Sequence, residues 1–282
     1  MSIMDKAHFE KALIDYILAS PENRVKKEAA LRPNLEGMQI FDEPLFGYAS
    51  SGDSLFTEAK KPDVIGEHFV APEEWLPEAK TVIAVFLPFT EQVRTANRVN
   101  MAWPSEEWLH ARIEGQAFQL TICRHAEELL KKEGFAALAP MLDSRFSGSS
   151  PITQNKNEQA YYTSNWSERH AAFAAGLGTF GLSKGLITRK GVAGRFLSVI
   201  TSACFEPDKR SYNGIYDYCN FCGACIRNCP AGAISKEHGK LHPPCCDFLN
   251  STKEKYVSYY GCGKCQVKVP CENRAPNAKD LT

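Results

Sequence analysis

The sequence predicts a mixed α/β domain over residues 1–205, followed by a compact cysteine-rich module over residues 206–282. In the first part, helical and strand-like patterns of apolar residues alternate. In the second part lie nine of the 11 cysteines, all between positions 219 and 271. Because this part is too polar to form a core of its own, we expect metal–thiolate bonds to stabilise it.

The first elements are predicted from the spacing of apolar residues. Apolar residues at helical spacing predict a helix over residues 6–19, and the continuous apolar run TVIAVFLPF predicts a buried strand over residues 81–89. Between them, the stretch GYASSGDSLF (47–56) is expected to form a loop, because it is rich in glycine and serine. A long helix is expected to begin after Ser105, its N-cap.

The later elements of the domain are shorter. Ser167 is expected to cap a short helix that ends at Gly176. The segment GLITRKGVAGRFLSVITSA predicts two strands around a turn at Lys190–Gly191. Cys123 and Cys204 stand apart from the other cysteines, and both are expected to be small core residues.

The stretch GLGTFG matches the G-x-G-x-x-G pattern of dinucleotide-binding sites. Such a site needs a strand before the glycines and a helix after them, but here a helix precedes and a strand follows, which argues against a nicotinamide site. Gly176 is instead interpreted as a helix C-cap. Gly178 and Gly181 are interpreted as positions where the backbone passes close to a flat neighbour, either packed core or a cofactor.

Composition restricts the functional classes. The formal net charge is zero, so no overall field favours nucleic acid. The first residues do not have the pattern of a secretory signal peptide, and no run approaches the ~18 apolar residues of a membrane span. Together with cysteines at metal-binding spacing, this predicts a protein of the reducing cytoplasm that does not act in a membrane.

The cysteine run CNFCGACIRNCP begins at Cys219 and has the spacing C-x2-C-x2-C-x3-C-P. This spacing is typical of bacterial ferredoxins, in which the first three thiols bind one [4Fe-4S] cluster and the fourth binds a second cluster. The run therefore predicts a ferredoxin-like module with two clusters. The other ligands must come from the five cysteines downstream: Cys245, Cys246, Cys262, Cys265 and Cys271.

A structural zinc site is the alternative interpretation of paired C-x2-C motifs. Tetrahedral zinc needs no third thiol at the same spacing, and the run supplies one at Cys225. Two clusters need eight ligands and nine cysteines lie in this region, so one is spare. The spacing thus favours two [4Fe-4S] clusters over zinc.

Four stretches of the sequence resemble the epoxyqueuosine reductase group of iron–sulfur proteins, which is related to the reductive dehalogenases. These stretches are WSERHAAFAAGLGTFGLSKGLIT, CNFCGACIRNCPAGAI, CCDFLN and GCGKCQ. The resemblance covers roughly residues 75–275. It implies a nitroreductase-like α/β domain that holds cobalamin, and a ferredoxin-like domain whose two [4Fe-4S] clusters supply electrons to it.

The resemblance also implies which cysteines bind which cluster. The ligands of one cluster would be Cys219, Cys222, Cys225 and Cys271. The ligands of the other would be Cys229, Cys245, Cys262 and Cys265, and Cys246 would be the spare cysteine. The adjacent pair Cys245 and Cys246 leaves the register of that ligand open.

The sequence departs from the family pattern in three places. Five residues, rather than three, separate Cys265 from Cys271. The family's aspartate proton donor lies six residues before a Glu-Arg pair, and here Tyr162 occupies that position before Glu168. No helical-repeat segment follows Cys271. These departures argue against tRNA as the substrate.

Candidate catalytic residues are Tyr162, Arg169 and His170, because a phenol beside a cation can donate a proton. Candidate cobalamin contacts are Gly176, Gly178, Phe180 and Gly181. In the alternative interpretation, these residues only pack the domain.

Two functional hypotheses follow. In the first, the chain is a cobalamin-dependent reductase of an unknown small-molecule or protein substrate, and it receives electrons from a donor such as ferredoxin or flavodoxin. In the second, it is an electron carrier or activator that reduces a partner protein. A large domain ahead of the cysteines favours the first hypothesis, and the missing aspartate favours the second.

Overall fold

The computed structural model describes residues 5–150 and 163–277. The helices are α1 (Lys6–Ala19), α2 (Ser54–Glu58), α3 (Pro72–Trp75), α4 (Glu91–Ala96), α5 (Glu106–Lys132), α6 (Glu168–Ala174), α7 (Ala224–Arg227) and α8 (His242–Tyr256). The strands are β1 (Leu45–Ser50), β2 (Thr81–Pro88), β3 (Ala137–Leu138), β4 (Gly148–Ser150), β5 (Thr163–Ser164), β6 (Gly178–Phe180), β7 (Leu186–Thr188), β8 (Gly194–Thr201), β9 (Ile234–Ser235) and β10 (Gly239–Lys240).

The central sheet has four antiparallel strands in the order β1-β2-β8-β3. Every residue of β2 is buried, because both faces of this strand are covered. Ile83 and Val85 pack in the core cluster that contains α1 and α5, whereas Val82 and Ala84 pack in the cluster that contains α6. The sheet is therefore the middle layer between helices, as in a mixed α/β domain.

Several helix and strand predictions are confirmed. The first helix spans the expected residues, and the strand expected over 81–89 is β2. The hydroxyls of Ser105 and Ser167 cap α5 and α6, because each accepts a hydrogen bond from the backbone N–H three residues ahead. The two strands expected around Lys190–Gly191 are β7 and β8, and they belong to different sheets.

The expected loop over residues 47–56 is wrong. Residues 45–50 form β1, an edge strand paired with β2 in a register that places Gly47 opposite Ala84. Gly47 is not a turn residue. A Cβ at this position would lie 2.4 Å from the carbonyl oxygen of Ala175, so the glycine allows the end of α6 to pack on the strand.

The expectation for Cys123 is confirmed and that for Cys204 is wrong. Cys123 is fully buried in the core beside α1. Cys204 is exposed, while its neighbours Ala203 and Phe205 are buried. Cys204 lies beyond β8, which ends at Thr201, and follows a bend at Ser202 and Ala203.

The cysteine-rich part has few regular elements and packs on the α/β part. Val267 is buried in the core cluster of α1 and α5, and Tyr212, Tyr218 and Val269 are buried in the cluster of α6. The boundary at residue 205 stays a prediction. No helix within the described residues combines the length and apolar character that a bilayer-spanning segment needs.

Candidate metal centres

The second cysteine set, defined as Cys229, Cys245, Cys262 and Cys265, lines one cavity of about 220 Å³. The set is drawn from the end of α7, the first turn of α8 and the loop after α8. Cys246 is not among the residues that line this cavity, and its sulfur lies 3.9 Å from Asn250 Nδ2.

The first cysteine set, defined as Cys219, Cys222, Cys225 and Cys271, lines a separate, smaller cavity of about 20 Å³. The two cavities share no cysteine. Four converging thiols are the donor set that a [4Fe-4S] cluster requires, so both cavities fit such a cluster in number and type of ligand.

Left-handed backbone shapes the loop that carries the first three thiols. Phe221 has φ +53° and Gly223 has φ +70°, and Gly223 is also the N-cap of α7. A left-handed conformation is unusual for a bulky residue such as Phe221. These two residues flank Cys222, which is exposed, and they turn the short loop so that its thiols face one cavity.

Cys271 is held in place by its neighbour Glu272. The buried Glu272 carboxylate forms ion pairs with Arg94 (Nη1–Oε1, 3.3 Å) and with Arg98, whose Nε lies 3.0 Å from both carboxylate oxygens. The Cys271 carbonyl accepts a hydrogen bond from the Val192 N–H at 2.9 Å. This anchor explains how the longer spacing after Cys265 still brings Cys271 to the first set.

The loop that carries Cys262 and Cys265 is packed tightly. Gly263 has φ +66°, and a Cβ there would lie 2.0 Å from the Trp108 ring. The Asn97 amide donates to the Cys262 carbonyl at 3.0 Å. Lys264 is fully buried, and its Nζ donates to the Asn97 carbonyl at 2.7 Å and to Asn97 Oδ1 at 2.6 Å.

Burial raises the pKa of some of these thiols and so favours their protonated form. It raises the pKa of Cys262 to about 12, that of Cys271 to about 12 and that of Cys225 to about 11. Neighbouring thiols raise these pKa values further. Because metal ligation requires thiolates, a bound cluster would have to displace these protons, and its positive iron ions would offset the cost of burying thiolate charge.

No group of three or more His, Cys, Asp or Glu side chains in residues 5–150 and 163–277 is arranged to hold a single metal ion. The thiols of each set surround a cavity instead of meeting at one point.

The predicted catalytic residues have different positions. Tyr162 lies outside the described residues. The Arg169 guanidinium donates to the Lys184 carbonyl, and it acts electrostatically on Cys265 of the second set. The His170 Nδ1 lies 2.8 Å from Ser167 Oγ, and burial, with a smaller effect of Arg169, lowers its pKa to about 4. Of the two candidates within the described residues, Arg169 is the one that interacts with a thiol of a cysteine set.

Backbone conformation and close packing explain the glycines at positions 176 and 178. Gly176 has a left-handed backbone with φ +79°, and the Leu177 N–H donates a hydrogen bond to the Ala172 carbonyl. These two features form a Schellman cap at the end of α6, so the prediction that Gly176 is a helix C-cap is confirmed. A Cβ at Gly178 would lie 1.9 Å from the Ile187 carbonyl oxygen of the paired strand β7. Close packing against the backbone of β7 therefore explains why residue 178 is a glycine.

The other two predicted cofactor contacts lie in different places: Phe180 packs within the α/β part, and Gly181 lies beside the first cysteine set. The Phe180 ring packs against His170 and Phe173, with ring centroids 4.9 Å and 5.9 Å away. A Cβ at Gly181 would lie 3.8 Å from Cys219 Sγ, so this glycine borders the first cavity.

Sequence reasoning missed Glu168, which lies beside Arg169. Both of its carboxylate oxygens are buried, and the polar groups that act on them are those of Ser198 and Trp166. Burial raises its pKa to about 8, against a smaller opposing effect of Ser198 and Trp166. It also missed Lys264, although this lysine stands between two predicted ligands in CGKC.

The model of the 4Fe-4S binding domain family matches residues 213–235, which include the first four cysteines of the run. The chain is 35% identical over 109 residues to a tetrachloroethene reductive dehalogenase of Desulfitobacterium hafniense, a match that covers 36% of this chain and 20% of the relative. It is 26% identical over 219 residues to the epoxyqueuosine reductase of Staphylococcus aureus, with 74% of this chain and 52% of that protein covered.

The chain is thus similar in sequence to an epoxyqueuosine reductase and to reductive dehalogenases. The resemblance predicted from the sequence is thereby confirmed. The chain spans between a fifth and about half of the length of these relatives.

Among solved structures, the fold is similar to that of an epoxyqueuosine reductase crystallised with a tRNA-Tyr stem loop. The TM-score is 0.52 at 20% identity, and the match covers 94% of this chain and 66% of that chain. The mixed α/β fold with a ferredoxin-like region is confirmed.

Proposed function

We propose that the chain is an iron–sulfur reductase that carries two [4Fe-4S] clusters, one in each cysteine set. The observation that carries this proposal is that eight of the nine clustered cysteines line two separate cavities, four in each. The sets are the ones that the family resemblance implies. Both named relatives are reductases, which supports reduction as the reaction.

The α/β part would supply the substrate side of the site, and the resemblance implies a nitroreductase-like domain with cobalamin there. A corrinoid, if bound, would supply the strongly reducing metal that acts on the substrate. Gly178 gives no support for a corrinoid contact, because the nearby Ile187 carbonyl already accounts for the glycine. We therefore assign no step to a corrinoid.

The substrate is proposed to be a small molecule or a protein. Epoxyqueuosine reductase acts on a tRNA-bound group, but Tyr162 stands where that family has its aspartate proton donor. We expect no conversion when the reconstituted protein is incubated with epoxyqueuosine-containing tRNA and a low-potential reductant. Formation of queuosine would contradict this part of the proposal.

The alternative is an electron carrier without a substrate of its own. Ile215, Tyr216 and Phe221 are exposed apolar side chains near the exposed Cys222, and such a patch could accept another electron-transfer protein.

The deciding experiment is anaerobic reconstitution of the full chain with iron and sulfide, followed by addition of cobalamin and gel filtration. The two-cluster proposal expects about eight iron and eight sulfide per chain, and four iron or stoichiometric zinc would contradict it. A retained corrinoid band supports the cobalamin-dependent reductase. Two clusters without retained corrinoid support the carrier.

A further inference from the structure

We propose that cations around the second cysteine set give its cluster the higher reduction potential, so that each electron passes from the first cluster to the second. The inference rests on the proposed two-cluster function and adds to it the direction of electron transfer between the clusters. It depends on how charged side chains are distributed around the two cavities.

The cavity of the second set is lined by three cationic side chains and by no aspartate or glutamate of the described residues. The three are Arg112, Arg195 and Lys240. Arg195 donates to Gln116 Oε1 and to the Arg112 carbonyl, both at 3.0 Å, and Arg112 donates to the Tyr260 hydroxyl at 2.7 Å. Their partners are neutral oxygens, so these contacts leave the positive charges uncompensated.

Lys264 adds a fourth cation from within the ligand loop. It is fully buried between Cys262 and Cys265, and both of its acceptors are neutral oxygens of Asn97. A buried charge without a counter-ion is costly. Four thiolates around a cluster carry the negative charge that would compensate it.

Lys240 lines the same cavity as Cys245, and it interacts electrostatically with the thiols of Cys245 and Cys265. Lys184 is half-buried on the same side, since it acts electrostatically on Lys240. Arg169 acts on the thiol of Cys265, but its side chain is exposed, so solvent screens its charge. Among the described residues, Arg169, Lys184 and Lys240 form no ion pair with a carboxylate.

The first set has a different environment. No charged side chain lines its cavity. The carboxylate of Glu272, the residue after Cys271, is neutralised by Arg94 and Arg98. Arg227 donates to the Cys222 carbonyl at 3.2 Å, but it is exposed, so solvent screens its charge.

Reduction adds one negative charge to a cluster, and nearby buried cations stabilise that charge more than exposed ones do. An external one-electron donor, such as a ferredoxin or flavodoxin, would therefore deliver its electron to the first cluster, where Cys222 is exposed. That electron would then move to the second cluster, which is reduced as the first is oxidised. No proton or bond changes in this step.

The test is a redox titration of the reconstituted full chain, followed by EPR, for the wild type and for Lys240→Gln. We expect two potentials in the wild type. In the variant, only the higher one should fall, with the ratio of reduced to oxidised cluster at a fixed potential dropping about tenfold, equivalent to about 59 mV. The matched control is Lys236→Gln, an exposed lysine on the same hairpin, which should change neither potential.

Lys184→Gln is a second variant, because Lys184 contacts no ligand directly and its loss should leave both clusters in place. It should lower the same potential by a smaller factor. The inference is overturned if Lys240→Gln shifts the lower potential, or if both variants keep eight iron and shift neither. A wild-type content of four iron overturns the two-cluster function itself, so the two failures are distinguishable.

Discussion

Two adjacent cysteines at the start of α8 have different surroundings. Cys245 lines the cavity of the second set, and Cys246 does not. We predict that Cys245→Ser lowers the iron content of the reconstituted protein by one cluster, because the second set is left with three thiols. Cys246→Ser is the matched control and should keep the wild-type iron content. The opposite result would show that the ligand register is wrong by one residue.

The raised pKa of Glu168 can be tested through the pH dependence of the free energy of unfolding. Its pKa in the folded protein is about 8, raised chiefly by burial, so the folded state holds a proton that the unfolded state has released at neutral pH. The stability from this proton is fully present below the usual carboxyl pKa and is lost as pH rises through 8. We predict that Glu168→Gln removes this loss. Between pH 4.5 and 8, the variant should gain about 1.4 kcal/mol per pH unit over the wild type.

The measurement is denaturant unfolding of the anaerobic holoprotein across that pH range. Burial lowers the pKa of His170 to about 4, so this residue destabilises the fold as pH falls from the usual histidine pKa toward 4. This effect is common to both proteins and cancels in the comparison. A constant difference between Glu168→Gln and the wild type would mean that the carboxyl keeps its ordinary pKa.

At the scale of elements, the ligand loop after α8 depends on Gly263. We predict that Gly263→Ala destabilises the holoprotein and lowers its iron content, because the new methyl group would overlap the Trp108 ring. Gly232→Ala is the matched control, since Gly232 also has a left-handed backbone, φ +58°, but has open space around it.

Both substitutions cost about 1–2 kcal/mol for a left-handed alanine, and only Gly263→Ala should cost a further ~1–3 kcal/mol for overpacking. Thermal unfolding and iron analysis of the two variants measure this difference. Equal losses would show that backbone conformation alone, and not contact with Trp108, requires glycine at position 263.

The elements that were predicted correctly are those whose signal is local. β2 is a continuous apolar run, and α5 and α6 have serine caps. β1 was missed because the reason for Gly47 is the carbonyl of Ala175, which is distant in sequence. The burial of Lys264 likewise depends on Asn97, and no pattern within CGKC reveals that partner.

At the scale of the whole molecule, the cysteine-rich part shares its apolar contacts with the α/β part. Val267, Val269 and Tyr212 are buried in core clusters that consist mostly of side chains from the α/β part. We predict that the isolated segment 206–282 without iron shows no cooperative thermal transition, because it has neither metal–thiolate bonds nor a core of its own. A cooperative transition in calorimetry of the iron-free segment would contradict this.

The interleaving of the two cysteine sets has a consequence for biosynthesis. The second set ends at Cys265, whereas the first set needs Cys271, which is anchored against Val192 and the Arg94–Arg98 pair through Glu272. On a growing chain, all four thiols of the second set leave the ribosome before the last thiol of the first. A maturation factor that delivers clusters would therefore meet a complete second site beside a three-thiol first site, which could hold only a cluster with one unprotected iron.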